Sequence, residues 1–288
     1  MVYYIKQGKN SIFHKIKCIE NECQILGMTT NIKKLEKIVR KMKKNQIEQV
    51  VLSKQIKSNQ EFIALLKNYD ITIFNGKWLI QYMLQEVISY LKKKQKILVD
   101  DEISILSNDL IDVVRQNINN FSNTYKKIRI VTNHLEKFRR IEKELYDEKG
   151  IPIIVTNNKR KALAKAELIV NFDFVQETIN QYNINENAII INIEREVKIN
   201  KKRFSGTIIN DYEVEFENAD ETSNIEILDK QDIIEKTAEF DLKEILEEKI
   251  YSDAEKYLSY NTFQRVESII KKYDIKISKL YGINGVIS

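Results

Sequence analysis

Between 126 and 173 three short apolar runs, at 128–131, 151–155 and 168–170, alternate with charged stretches of helical period. Runs of β-branched residues between helical segments mark βαβ units and a parallel sheet buried on both faces. The rhythm extends in both directions, predicting strands at 103–106, 128–131, 151–155, 168–170 and 188–193. Between them fall helices at 110–121, 134–149 and 159–165 and a helical turn at 174–182, with Gly150 ending the second. Right-handed crossovers place the five strands in one mainly parallel sheet.

The first 97 residues carry the same kind of alternation. Two short apolar runs around Cys18 and Cys23, with Asn21 between them, predict a hairpin within 12–28. Thr30 or Asn31 caps a helix whose inner face is Ile32, Leu35, Ile38, Val39 and Met42. Its other face is basic, with Lys33, Lys34, Lys37, Arg40, Lys41, Lys43 and Lys44. Strands at 49–52 and 71–74 flank a helix at 61–69, and Asn75-Gly76 turns into a long helix over 77–94 with Trp78 on its core side. Past 193 the period shortens to two, with Ser205-Gly206 and Asn210-Asp211 as turns, which predicts a small local antiparallel element. An acidic, weakly patterned stretch at 217–232 reads as a mobile loop, and helices at 242–257 and 262–273 close the chain.

The fold class is therefore α/β and two-lobed. An N-terminal α/β lobe (1–97) precedes a Rossmann-like parallel sheet (98–200), and 201–288 supplies the antiparallel element, the acidic loop and the closing helices. The lysine run at 92–96 followed by Asp100-Asp101 marks the boundary. One Pro and seven Gly in 288 residues are too few breakers for a loop-rich all-β fold. The richness in Ile, Lys and Asn fits an AT-rich genome of the low-GC Gram-positive kind.

Charge is distributed unevenly. Residues 1–97 hold 19 Lys/Arg against 7 Asp/Glu, whereas 206–288 hold 10 against 19. A basic front and an acidic tail attract each other within one molecule, which makes nucleic acid the less favoured partner. The two cysteines make no disulfide framework for a chain of this size and are expected as reduced thiols. His14 and His134 lie too far apart in sequence to suggest a metal site, so none is predicted. No signal-peptide core and no run of ~20 apolar residues is present. The expectation is a cytoplasmic protein with no membrane partner, a small molecule as ligand, and room for a homodimer.

Ligands of open α/β sheets bind at the carboxyl ends of the strands. Every predicted strand ends there in polar residues. Asn108, Asp109, Asn133, His134, Asn157, Asn158, Lys159 and Asn171 are the candidate ligand pocket, with Asp173 and Asn192 beside them. The same residue types cap helices and satisfy turn backbones, Asp109 as an N-cap among them. No pairing of nucleophile and base is visible, so no catalytic set is assigned.

Two stretches add a resemblance. IVTNHLEKFRRIEKEL (130–145) resembles the second strand and helix of Rossmann domains of the shikimate dehydrogenase and glutamyl-tRNA reductase type. ALAKAELIVNFD (162–173) is similar to the following stretch, where an Ala-rich helix runs into a strand ending in Asn. The resemblance spans about 103–193 and implies a dinucleotide-binding fold with NAD(P) as cofactor. The chain departs from it at the decisive place: after the first strand, Ser107-Asn108-Asp109-Leu110-Ile111 stands where G-x-G-x-x-G is needed. Side chains fill the space of the pyrophosphate, and Asp109 repels it. The family's catalytic Lys–Asp pair and nucleophilic Cys have no counterpart in 1–97 either. The reading is thus a non-catalytic or regulatory small-ligand-binding protein with no cofactor. The alternatives are a divergent NAD(P)-dependent oxidoreductase, with Asn133 and His134 at the ribose, and a nucleic-acid-associated protein using the basic N-terminal lobe.

Overall fold

A computed structural model describes residues 1–95, 101–216, 228–256 and 262–287. The chain begins β1 (Val2–Gln7), β2 (Lys15–Ile19), β3 (Glu22–Leu26), α1 (Ile32–Lys44), β4 (Gln49–Leu52), α2 (Lys54–Lys57), α3 (Gln60–Asn68), β5 (Thr72–Phe74), α4 (Lys77–Ile80) and α5 (Leu84–Gln95). It continues β6 (Glu102–Leu106), α6 (Asp112–Phe121), β7 (Lys127–Val131), α7 (Leu135–Lys149), β8 (Ile153–Thr156), α8 (Lys159–Leu163), β9 (Leu168–Asn171), α9 (Gln176–Asn180) and β10 (Ile189–Asn192). It ends β11 (Thr207–Ile209), β12 (Asp211–Glu215), α10 (Lys230–Thr237), α11 (Leu242–Lys256), α12 (Thr262–Lys272), β13 (Lys276–Gly282) and β14 (Gly285–Val286).

Contacts divide the chain into two compact units. The first is Met1–Leu79 with Asn218–Tyr260, and the second is Ile80–Glu217 with Asn261–Ser288. The division runs after Leu79 rather than after 97, because the predicted long helix is broken. Gln81 and Tyr82 form a turn between α4 and α5, and α5 packs on β13 of the second unit. Residues 201–288 do not form one segment either: α10 and α11 belong to the first unit and α12 to the second. The expected boundary at 96–100 and most of the expected acidic loop, 217–227, lie outside the described residues.

The first unit holds a five-stranded sheet in the order β2-β3-β1-β4-β5. All neighbours are parallel except β2 and β3, the expected hairpin. Leu35, Ile38, Val39 and Met42 of α1 are buried against the sheet, as their spacing requires. Asn31 caps that helix, its side chain accepting from the Lys34 amide at 3.3 Å. The thiols are corrected: Cys18 and Cys23 sit directly opposite on β2 and β3 and form a disulfide, with Cα atoms 4.0 Å apart. In a hairpin the backbone register, not sequence spacing, brings the two sulfurs together. The loop it closes is short, so cutting it by Cys18→Ser should cost no more than about 2 kcal/mol. Urea unfolding of the variant checks this, as does the absence of a titratable thiol in the unreduced, denatured protein.

The second unit is built on a six-stranded, wholly parallel sheet in the order β11-β10-β9-β6-β7-β8. Counted from β6, that is the doubly wound order 3-2-1-4-5-6 of a Rossmann domain. The five expected strands all lie in it. Every residue of β9 and β10 is buried, as in strands covered on both faces. Gly150 ends α7 in the left-handed conformation, φ +66°, with its amide on the Tyr146 carbonyl. The small antiparallel element expected past 193 is present but is not built from that stretch alone. Instead β11 joins the parallel sheet beside β10, and β12 pairs with β13 from the end of the chain, followed by β14. A period of two announces a strand but not its partner. Gly206, entering β11, passes so close to β10 that an added Cβ would stand 2.1 Å from the Ala188 carbonyl oxygen.

Candidate functional site

In a doubly wound sheet the ligand crevice opens where the strand order reverses, outside the carboxyl ends of the two strands that diverge. Here those strands are β6 and β9. The loop after β6 carries Ser107, Asn108 and Asp109, and the loop after β9 carries Phe172 and Asp173.

The two loops are tied together by one side chain. Asp173 accepts the Asn108 backbone amide at 2.7 Å and the Asn108 side-chain amide at 3.1 Å. The nearby Asp109 backbone amide also favours the charged form of that carboxylate, more weakly than Asn108 does. Backbone N–H groups between a first strand and its following helix are the donors that hold a pyrophosphate in Rossmann enzymes. In this protein they already hold an anion, supplied by the chain itself. Partial burial raises the Asp173 carboxyl above the usual carboxylate range, with the nearby Asp109 adding to it and the Asn108 and Asp109 donors opposing. Glu194, after β10, is raised in the same way, by the surrounding protein first and then by the Asp173 charge.

The neighbouring strand ends extend the network. Asn108 Oδ1 accepts the Asn133 amide at 3.0 Å, and Asn133 Oδ1 accepts from Lys159 Nζ at 2.5 Å. Lys137 pairs with Asp109 at 2.5 Å. Asp109 is therefore not an N-cap: α6 starts at Asp112 behind Ile111, with no side-chain cap. Thr132 and Thr156 end β7 and β8 alike, each accepting the amide two residues on, from His134 and Asn158, at 3.0 Å. Asn158 caps α8 through the Lys161 amide. His134 and Asn157 are exposed. The mouth is thus polarised, with Lys137, Lys159 and His134 toward β7 and β8 and Asp173 and Glu194 toward β9 and β10.

Asn171 stands apart from the other seven predicted residues. It is buried, and it starts a ladder of three asparagines across the ends of β9, β10 and the β11–β12 junction. Its Nδ2 donates to the Phe174 carbonyl at 3.0 Å and to Asn192 Oδ1 at 2.9 Å, and its Oδ1 accepts the Phe174 amide at 2.9 Å. Asn192 Nδ2 in turn donates to Asn210 Oδ1 at 2.9 Å, which also accepts the Val197 amide at 3.0 Å. Both N–H groups of Asn171 are committed within the protein, so it supports the loops rather than facing a ligand.

A second set of buried polar groups lies in the first unit, on α11, and sequence pattern gave no sign of it. Glu247 receives the Gly76 amide and the Trp78 amide, the latter at 2.6 Å. Glu248 receives the Tyr4 hydroxyl at 2.7 Å. Glu244 meets Lys57 at 2.6 Å, and Lys57 also pairs with Asp241. Burial pushes Glu244 up to about 7, against the attraction of Lys57. The basic face of α1 is exposed as expected, with Arg40 held by Glu36 and Tyr69. Among the described residues no cluster of three or more His, Cys, Asp or Glu could hold a metal ion, and no helix is long and apolar enough to cross a membrane.

No protein-family model matches the chain, and no curated protein sequence matches it. Among solved structures it is similar to ornithine carbamoyltransferase from Pyrococcus furiosus, at 8% identity and a TM-score of 0.33. That match covers 66% of this chain and 70% of the other. It is also similar to L-tryptophan dehydrogenase from Nostoc punctiforme, at 9% identity and a TM-score of 0.31, over 88% of this chain and 68% of that one.

Proposed function

We propose that the doubly wound unit binds a small polar ligand at the ends of β6, β7 and β8, and that it acts as a ligand-binding or regulatory protein. A dinucleotide-dependent oxidoreductase is the reading it replaces. The observation that carries this is the Asp173 carboxylate on the backbone and side-chain amides of Asn108. A pyrophosphate in the usual pose would have to displace it and then sit beside two carboxylates. The helix dipole offers an exposed anion only about 0.3–1 kcal/mol, which one such charge offsets.

The residues proposed to meet the ligand are Asn108, Asn133, His134, Asn157 and Lys159, with Asp109 and Asn158 fixing the loops beneath them. The opposed charges of Lys159 and Asp173 suit a small zwitterion better than a polyanion. The scaffold is proposed to be of the shikimate dehydrogenase type, with its phosphate loop closed.

A thermal-shift screen of amino acids, other small zwitterions, nucleotides and NAD(P)(H) tests the reading. A ligand at 100 times its Kd adds about 2.7 kcal/mol to stability. The expected result is stabilisation by a small zwitterion that disappears in Lys159→Ala. Stabilisation by a dinucleotide, and by none of the small molecules, would overturn it.

A further inference from the structure

The first unit contains a cavity of about 610 Å³ that runs along the edge strand β5 and reaches the carboxyl end of β4 at Leu52, within the range of small-molecule sites. Leu52, Ile63, Ile71 and Ile73 give it an apolar wall, and Lys57 and Glu244 meet at its polar end. Glu244 is 3% exposed.

The charges around Glu244 can be taken element by element. From α2 comes Lys57, which Glu244 shares with Asp241 of the α10–α11 junction. On α11 itself, Glu247 and Glu248 are turned to the Gly76 and Trp78 amides and to Tyr4, and Lys243 attracts Glu244 more weakly than Lys57 does. Lys67 and Asp70, from the end of α3, line the same cavity with opposite charges. Among the described residues Lys57 thus serves two carboxylates at once, which leaves the polar end of the cavity one cation short.

We infer that this cavity is a binding site for a small organic cation, an amine with an apolar body, whose ammonium group completes the Lys57–Asp241–Glu244 cluster. The alkyl part lies along Leu52, Ile63, Ile71 and Ile73, which bury it from water. The ammonium takes the position beside Glu244, and the carboxyl proton of Glu244 leaves to solvent as the cation enters. The raised carboxyl of Glu244 fits this picture, since a proton stands in for the missing cation when the site is empty. An anionic ligand would meet Asp241 and Glu244 with the single ammonium of Lys57 already engaged.

Calorimetric titration with hexylammonium, hexanol and hexanoate tests the inference on the whole protein. Hexylammonium is expected to bind saturably at pH 8, and the alcohol and the acid are not. Affinity should fall by about a hundredfold between pH 8 and pH 5, as the proton comes to compete with the amine. At pH 6, titrations in two buffers of different ionisation enthalpy should show close to one proton released. Glu244→Gln should weaken hexylammonium at least tenfold, while Lys33→Ala, on the exposed face of α1 and outside the cavity, leaves it within twofold. Should Glu244→Gln fail to fold, the pH profile and proton release of the unaltered protein decide the matter alone. Hexanoate binding as tightly as hexylammonium, affinity independent of pH, or no saturable hexylammonium binding would each overturn the inference.

Discussion

Replacing Asn192 by alanine should destabilise the protein by about 3 kcal/mol, one of the two largest effects expected of a single substitution. Asn192 is fully buried and is the middle rung of the ladder between Asn171 and Asn210. Removing its amide leaves an Asn171 N–H without an acceptor and takes a donor from Asn210 Oδ1, in a place water does not reach. Each such loss costs about 1–3 kcal/mol, and the small void left behind adds to it. The comparison variant is Asn133→Ala, at the same end of the sheet but exposed, which should stay within about 0.5 kcal/mol of the parent. Urea unfolding measures both. Equal midpoints for the two variants would mean that the ladder holds nothing together.

Glu244→Gln should change the pH dependence of stability in the opposite sense to most carboxylate substitutions. The folded carboxyl titrates at about 7, above the 4.5 of an unperturbed glutamate. Folding therefore favours the protonated form: the stability this group contributes is fully present below pH 4.5 and is lost as pH rises through 7. At about 1.4 kcal/mol per pH unit, the loss between pH 4 and pH 8 is about 3 kcal/mol. Glutamine keeps the shape and cannot ionise, and Lys57 retains Asp241. The variant should accordingly be the more stable protein at pH 8, with a flatter profile. Thermal unfolding from pH 4 to pH 8 checks it, and parallel profiles for the two proteins would contradict it.

The second unit was legible in sequence because its buried parallel strands are written as short runs dominated by isoleucine, leucine and valine. ISIL, IRIV, LIV and AIIINI leave little else to be read. The order of those strands was not legible, since nothing in a run of isoleucines names its neighbour. The strand VYYIKQ at the start went unread although Val2 to Ile5 form an apolar run, because its central place in the first sheet comes from long-range pairing with β3 and β4. The β12–β13 pair joins 211–215 to 276–281, a separation no local pattern spans.

At the site, strand ends rich in Asn and Thr were visible, but their division of labour was not. Asn133 and Asn171 follow similar strands, yet one faces out and the other is locked between Phe174 and Asn192. The role of Asp173 depends on the register between β6 and β9, which brings the two loops together. Helix α11 was placed by its sequence, but its buried carboxylates were not legible. Its sequence LKEILEEKIYSDAEK has the look of an acidic surface helix, and yet Glu244, Glu247 and Glu248 are all buried. Polar residues at core positions are where pattern reasoning fails, and functional sites concentrate there.

The Asn108 amide, placed where a Rossmann sheet holds a pyrophosphate, already carries the Asp173 carboxylate. Calorimetric titration of NADH into the protein should therefore give no saturable heat up to millimolar NADH. A micromolar Kd would mean that the carboxylate yields its place to the dinucleotide.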